Sequence, residues 1–124
     1  MLTGDQLIAD IDAADVPTGN VAFWWLGQHS FILKFGGRII YIDPYLSPKD
    51  ARLVPPLFIP EQMAHADIVI GTHDHGDHID RKVWPNIARA TNATFVVPDL
   101  VRESVISEQG IPAERILGLD DGTS

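Results

Sequence analysis

The sequence predicts an α/β protein of mixed type: a mixed β-sheet with its helices on one face. Three observations carry that expectation. Three β-type runs stand close together near the start, strand-like and helix-like segments then alternate, and several strand-like runs are apolar throughout. Strands in quick succession signal antiparallel pairing, alternating strand and helix patterns signal parallel βα units, and strands without a polar side need cover on both faces.

Taken in order, Leu7, Ile8 and Ile11 recur at helical spacing among acidic positions, which predicts a short amphipathic helix over 5–14, ended by Val16-Pro17-Thr18-Gly19-Asn20. Val21 to Leu26, Phe31 to Phe35 and Arg38 to Ile42 predict three strands, with Gly36-Gly37 as a two-residue hairpin turn between the last two. Residues 46–60 hold four prolines and no period, so a long stiff loop is expected there. A short helix near 60–65, a strand over 67–71, a helix around 81–91, a strand over 94–97, a helix over 99–109 and a strand over 115–119 complete the pattern. Asp80 and Asp99 read as N-caps, Gly110 as a helix C-terminal stop, and Pro85 as the start of the regular part of its helix. Trp24 and Trp25 read as core, because adjacent strand residues point to opposite faces and both faces are expected to be covered.

The chain has 124 residues, ample for one ordinary domain and too few for two. A net charge of −8 argues against a nucleic-acid partner, since the positive footprint of a phosphate-backbone binder is missing. With no cysteine, neither a disulfide framework nor a thiolate metal site is available. The first ten residues lack the pattern of a secretory signal and no apolar run reaches membrane-span length, so a cytoplasmic protein without membrane contact is the expectation.

Chemistry concentrates in residues 73–78, His-Asp-His-Gly-Asp-His, directly after the apolar run Ile68-Val69-Ile70 and its Gly71-Thr72 exit. Along extended backbone the side chains of His73 and His75 share a face while Asp74 points away, and Gly76 would let the chain turn so that Asp77 and His78 join them. Three imidazoles and a carboxylate make a nitrogen and oxygen donor set suited to zinc, manganese or iron. The plain alternative is a solvated His/Asp-rich loop.

The stretch Thr72 to Asp80 resembles the H-x-H-x-D-H signature loop of the metallo-β-lactamase superfamily. Trp24-Trp25-Leu26-Gly27-Gln28 and Ile42-Asp43-Pro44-Tyr45-Leu46-Ser47 are similar to the branch that includes L-ascorbate-6-phosphate lactonase and related metal-dependent hydrolases. The resemblance covers about residues 20 to 120. It implies an αββα sandwich, which needs on the order of 200 residues. Residues 1–124 are therefore expected to be the N-terminal half of such a domain, with Leu119 to Ser124 reading as a strand leaving into a turn. A self-contained small α/β protein that completes its core by dimerising, as a homo-oligomer, is the competing possibility.

By the same resemblance His73 and His75 belong to one metal position, and Asp77 with His78 to its neighbour, holding one or two divalent ions, zinc or manganese. The family completes these positions with two more histidines and a bridging aspartate from the other half. Asp43 would orient a ligand histidine or the loop backbone, with a purely local turn-forming role as the alternative. His29 lies where relatives place a residue near the active site, whereas His65 is expected on the exposed end of a short helix. Tyr45, Lys49 and Arg52 can meet an anionic substrate or be ordinary surface, and no substrate-binding residue is fixed.

The activity implied is hydrolysis of a small ester or lactone, a phosphorylated sugar lactone if the nearest relative is a guide. A metal-bound hydroxide would attack, and Asp77 would act as the catalytic group that orients or shuttles a proton. The fragment alone is expected to be inactive. The alternatives are a non-catalytic metal-binding or assembly domain and, third, a metal-dependent nuclease or phosphodiesterase.

Overall fold

The computed structural model describes residues 1–122; the end of the expected terminal turn, Thr123 and Ser124, lies outside the described residues. Helix α1 (Gly4–Ala13) is followed by β1 (Ala22–Trp25), β2 (Phe31–Phe35) and β3 (Arg38–Ile42). Then come a 3-10 helix at Pro60–Gln62, β4 (Ile68–Ile70), α2 (Trp84–Ala90), β5 (Thr94–Pro98), α3 (Asp99–Gln109), a second 3-10 helix at Ala113–Arg115 and β6 (Ile116–Leu119). One six-stranded sheet results, in the order β1-β2-β3-β4-β5-β6. β1, β2 and β3 pair antiparallel, and β3 through β6 pair parallel. Gly36 and Gly37 both take positive φ, 54° and 73°, the backbone that a tight two-residue hairpin demands.

The register sorts the strand residues onto two faces. Trp24, Ile32, Ile39, Tyr41, Val69, Phe95, Val97 and Ile116 share the face that meets the helices, where Leu7, Ile8 and Ile11 of α1, Trp84 and Ile87 of α2, and Val105 of α3 complete the core. Buried Lys34 donates from β2 to the carbonyls of Ile11 (2.8 Å) and Asp12 (2.7 Å), satisfying the orphan end of α1 and complementing its dipole. Burial also pushes the Tyr41 hydroxyl to an even weaker acidity than usual, with the charge of Asp12 adding to the effect.

The opposite face carries Phe23, Trp25, Phe31, Leu33, Ile40, Ile42, Ile68, Ile70 and Val96, none of them buried. Phe23 is 66% and Trp25 57% exposed. The sequence expectation that both tryptophans are core therefore holds for half-buried Trp24 alone, whose indole N–H donates to Asp10 at 3.0 Å. Trp25 lies on the uncovered face, its N–H held by the carbonyl of Gln28 at 2.9 Å.

Two expected caps are also corrected. Asp99 is the first residue of α3 itself and its side chain caps nothing, because Pro98 occupies the cap position. Asp80 precedes α2 by a turn and directs its carboxylate elsewhere, as described below. Pro85 does stand in the first turn of α2, and Gly110 ends α3 at φ 63°.

Candidate metal centre

Because β3, β4 and β5 are parallel, their carboxyl ends share one edge of the sheet, and the antiparallel β1–β2 turn reaches the same edge. Open α/β sheets bind ligands at such an edge. Here it gathers Asp43 after β3, the loop Thr72–Asp80 after β4, and Gln28, His29 and Ser30 of the turn.

Gly71 at the β4 exit is irreplaceable on packing grounds: a methyl group there would sit 2.5 Å from Ile79 and 2.9 Å from Trp84. Beyond it the chain is bent, not extended. The His75 N–H donates to the His73 carbonyl at 2.9 Å, a three-residue turn, and the His75 carbonyl accepts from His78 (2.9 Å) and Ile79 (2.8 Å). So the first two histidines converge through a turn where strand alternation was expected. Gly76 has ordinary negative-φ backbone and open space around it, so the expected role of its flexibility is not needed.

His73 Nε2 stands 3.1 Å from His75 Nδ1, with ring centroids 4.6 Å apart. The His73 and His78 rings are 3.8 Å apart, and His78 Nε2 lies 3.8 Å from Asp77 Oδ1. Asp74 points away and pairs with Arg81 at 2.6 Å.

Asp43 holds this loop in place. Its Oδ1 accepts the Thr72 N–H at 2.7 Å, and its Oδ2 accepts the Thr72 hydroxyl at 2.7 Å and faces His78 Nδ1 at 2.6 Å. With the carboxylate ionised, Nδ1 of His78 carries the hydrogen and Nε2 keeps its lone pair for a ligand. Asp43 has φ 47°, unusual for a residue with a side chain, and such strain persists only where the surroundings over-determine it. Buried Ser30 supplies part of that determination: its hydroxyl donates to the Asp43 carbonyl at 2.6 Å and accepts from the Tyr45 N–H at 3.0 Å. Sequence reasoning did not single out Ser30 or Thr72; only the turn geometry reveals them.

Two donors each about 2.0–2.1 Å from one tetrahedral ion stand roughly 3.3 Å apart, and anything up to about 4 Å can share an ion. The His73–His75 pair at 3.1 Å and the His78–Asp77 pair at 3.8 Å both meet that limit. Among the described residues no group of three or more His, Cys, Asp or Glu side chains is arranged to hold an ion. Two of the spacings thus suit a shared ion and neither pair alone completes a ligand set, while the 3.8 Å approach of the His73 and His78 rings links the two. His29 is next to them, its ring stacked on His78 at 5.2 Å.

An open cleft of about 610 Å³ adjoins the loop, lined by Tyr45, Ser47 and Lys49 from the segment after β3 and by Asp77, Arg81 and Lys82 from the loop and turn after β4. Asp80, 2% exposed, fastens these segments together: its carboxylate accepts from the N–H groups of Leu46 (3.0 Å) and Ser47 (2.9 Å) and from the Ser47 hydroxyl (2.7 Å). Arg52 does not face the cleft. Its guanidinium donates to the carbonyls of Tyr45, Ser47 and Val54 and lies 4.5 Å over the Tyr45 ring, so it stiffens the proline-rich loop. His65 is at the other edge of the sheet, exposed after the 3-10 helix, 3.2 Å from Asp67.

Comparison with known proteins agrees with this geometry. Residues 22–112 match the family described as "Beta-lactamase superfamily domain". A metal-dependent hydrolase from Hyperthermus butylicus is 29% identical over 99 residues, 79% of this chain and 41% of that protein. One from Aeropyrum pernix is 30% identical over 107 residues, with 79% and 42% covered. The chain thus spans about two fifths of the length of these curated relatives. Among solved structures, Igni18, a metallo hydrolase from Ignicoccus hospitalis, superposes with a TM-score of 0.57 at 24% identity over 83% of this chain and 41% of its own. CmlA, a diiron β-hydroxylase from Streptomyces venezuelae, gives 0.58 at 18% identity over 87% and 22%. With the ligand-type loop, the strand order and the match over residues 22–112 in agreement, this chain belongs to the β-lactamase superfamily.

Proposed function

We propose that this chain carries the first ligand loop of a metal-dependent hydrolase acting on a small ester or lactone. The observation that supports the reading most is that two donor spacings suit a shared ion, one of them at His78, which Asp43 orients. His73 with His75 would hold one divalent ion and His78 with Asp77 a second, zinc suiting the nitrogen-rich pair and manganese or zinc the mixed one. What such a cation supplies when bound is Lewis acidity and a water whose pKa falls from about 15.7 to about 7.

The chain's own residues do the rest. Asp43 keeps His78 turned with Nε2 outward, and Thr72 fixes the loop to the strand end. Asp77, partly exposed where the loop meets the cleft, faces His78 with its Oδ1 and would orient the attacking water or shuttle its proton. A lactone or ester fits this equipment because it needs no side-chain nucleophile, and the Trp24–Gln28 and Ile42–Ser47 stretches favour the lactonase-like branch.

The uncovered apolar sheet face and the unfinished donor pairs both support the view that residues 1–124 act as the N-terminal half of a two-sheet domain. Accordingly, the 124-residue chain should bind metal weakly and turn over no ester or lactone, whereas a longer product of its coding frame should do both. The test is metal content and lactone or ester turnover for the two, with chelator controls and a His75→Ala variant. Metal-dependent turnover by the short chain, lost in His75→Ala, would overturn the half-domain view. A metal-loaded long form inert toward esters, lactones and phosphoesters would overturn the hydrolase.

A further inference from the structure

Lys49 and Lys82 both line the cleft beside the metal loop. Most other cations of the chain are engaged: Arg38, Arg81 and Arg102 pair with carboxylates, and Lys34, Arg52 and Arg115 donate to backbone carbonyls. Arg81, in the same cleft, pairs twice, with Asp74 at 2.6 Å and Glu108 at 2.8 Å. Lys49 and Lys82 are exposed, and among the described residues neither has an ion-pair partner. Their segments are not independent. Asp80 ties Ser47, two residues before Lys49, to the turn that carries Lys82, so both lysines are mounted on one buried hydrogen-bonded latch.

We propose that this cleft is the subsite for an anionic group of the substrate, a phosphate or a carboxylate, held between Lys49 and Lys82. Asp77 faces the same cleft, so an anion held there leaves its scissile ester or lactone carbonyl beside the donor pairs. The inference rests on the hydrolase reading for the word substrate, while the anion site itself stands on the two unpaired lysines.

Binding is measured directly, so that it does not depend on turnover. Inorganic phosphate, acetate and neutral glycerol are titrated separately into the 124-residue chain while backbone amide shifts are followed by NMR. Phosphate or acetate should move the amides of residues 45–49 and 76–82 and glycerol should not; which anion binds tighter distinguishes the two sources. The double variant Lys49→Gln/Lys82→Gln should weaken binding about tenfold, as expected for two exposed ion pairs. Arg89→Gln, which removes a charge on exposed α2 surface, should leave it unchanged, and circular dichroism checks that all variants are folded. Equal anion binding by the double variant, or shifts confined to other surfaces, would overturn the subsite. Anion binding at the cleft with no ester turnover by any longer form would support the subsite and remove the hydrolase.

Discussion

Asp43 is the residue on which the site turns. One carboxylate meets a backbone N–H, a hydroxyl and an imidazole, and it does so from a backbone conformation that costs of order 1–3 kcal/mol elsewhere. Asp43→Asn keeps the shape but sets an amide N–H or a weak acceptor where a carboxylate stood. Zinc affinity measured by competition with a chelating dye should fall about 10- to 100-fold while the fold persists; unchanged affinity would mean that Asp43 only shapes its own turn. That the histidine loop and Asp43 would lie together was legible from the loop's residue types after a strand and from the Asp43-Pro44 strand end. Ser30 and Thr72 were not, since a hydroxyl has no periodicity and its role depends on a turn that brings position 30 to position 43.

At the scale of elements, every strand and helix stands close to where hydrophobic period and turn residues put it, and the errors concern what individual side chains do at the joins. Asp80 looked like a cap because it precedes a helix. In the structure three donors from the proline-rich loop compete for the same carboxylate and win. Asp80→Ala should therefore release residues 46–60: amide exchange at Leu46 and Ser47 should quicken and proteolysis should favour that loop, whereas loss of α2 alone would restore the cap. At the opposite edge Asp67 joins strands, accepting the Ile39 N–H at 2.8 Å while its backbone pairs with Ile39 and Thr94. Burial pulls its carboxyl up, but the Ile39 N–H, the Arg38 guanidinium and His65 outweigh that and hold its acidity below the usual pKa. A depressed folded pKa contributes stability above the unfolded value, near about 3.9, that is lost as pH falls through the folded one. Urea unfolding should show the gap between wild type and Asp67→Asn constant near neutrality and closing below about pH 4; a gap that widens in acid would refute the assignment.

For the whole molecule, the sheet is finished on one side only. The apolar residues of the other face, Phe23 and Trp25 foremost, point to solvent, and the 124-residue chain should accordingly bind a hydrophobic dye strongly and self-associate in sedimentation. A dye-silent monomer would mean that the face needs no partner. No helix among the described residues is long and apolar enough to cross a membrane. That the helices would cover one face only was legible in advance, because strands apolar on both faces demand two covers and the helices here supply one. What the sequence did not show was how the donors are brought together, which depends on a bent loop where extended backbone was expected. Long-range proton–nitrogen NMR of the imidazole rings during a zinc titration reads which ring nitrogens take the metal. His78 Nε2 and one ring nitrogen each of His73 and His75 should move to metal-bound shifts while His78 Nδ1 keeps its proton toward Asp43, with His65 unaffected. Zinc saturation that leaves these three rings unchanged, or that binds His78 through Nδ1, would contradict it.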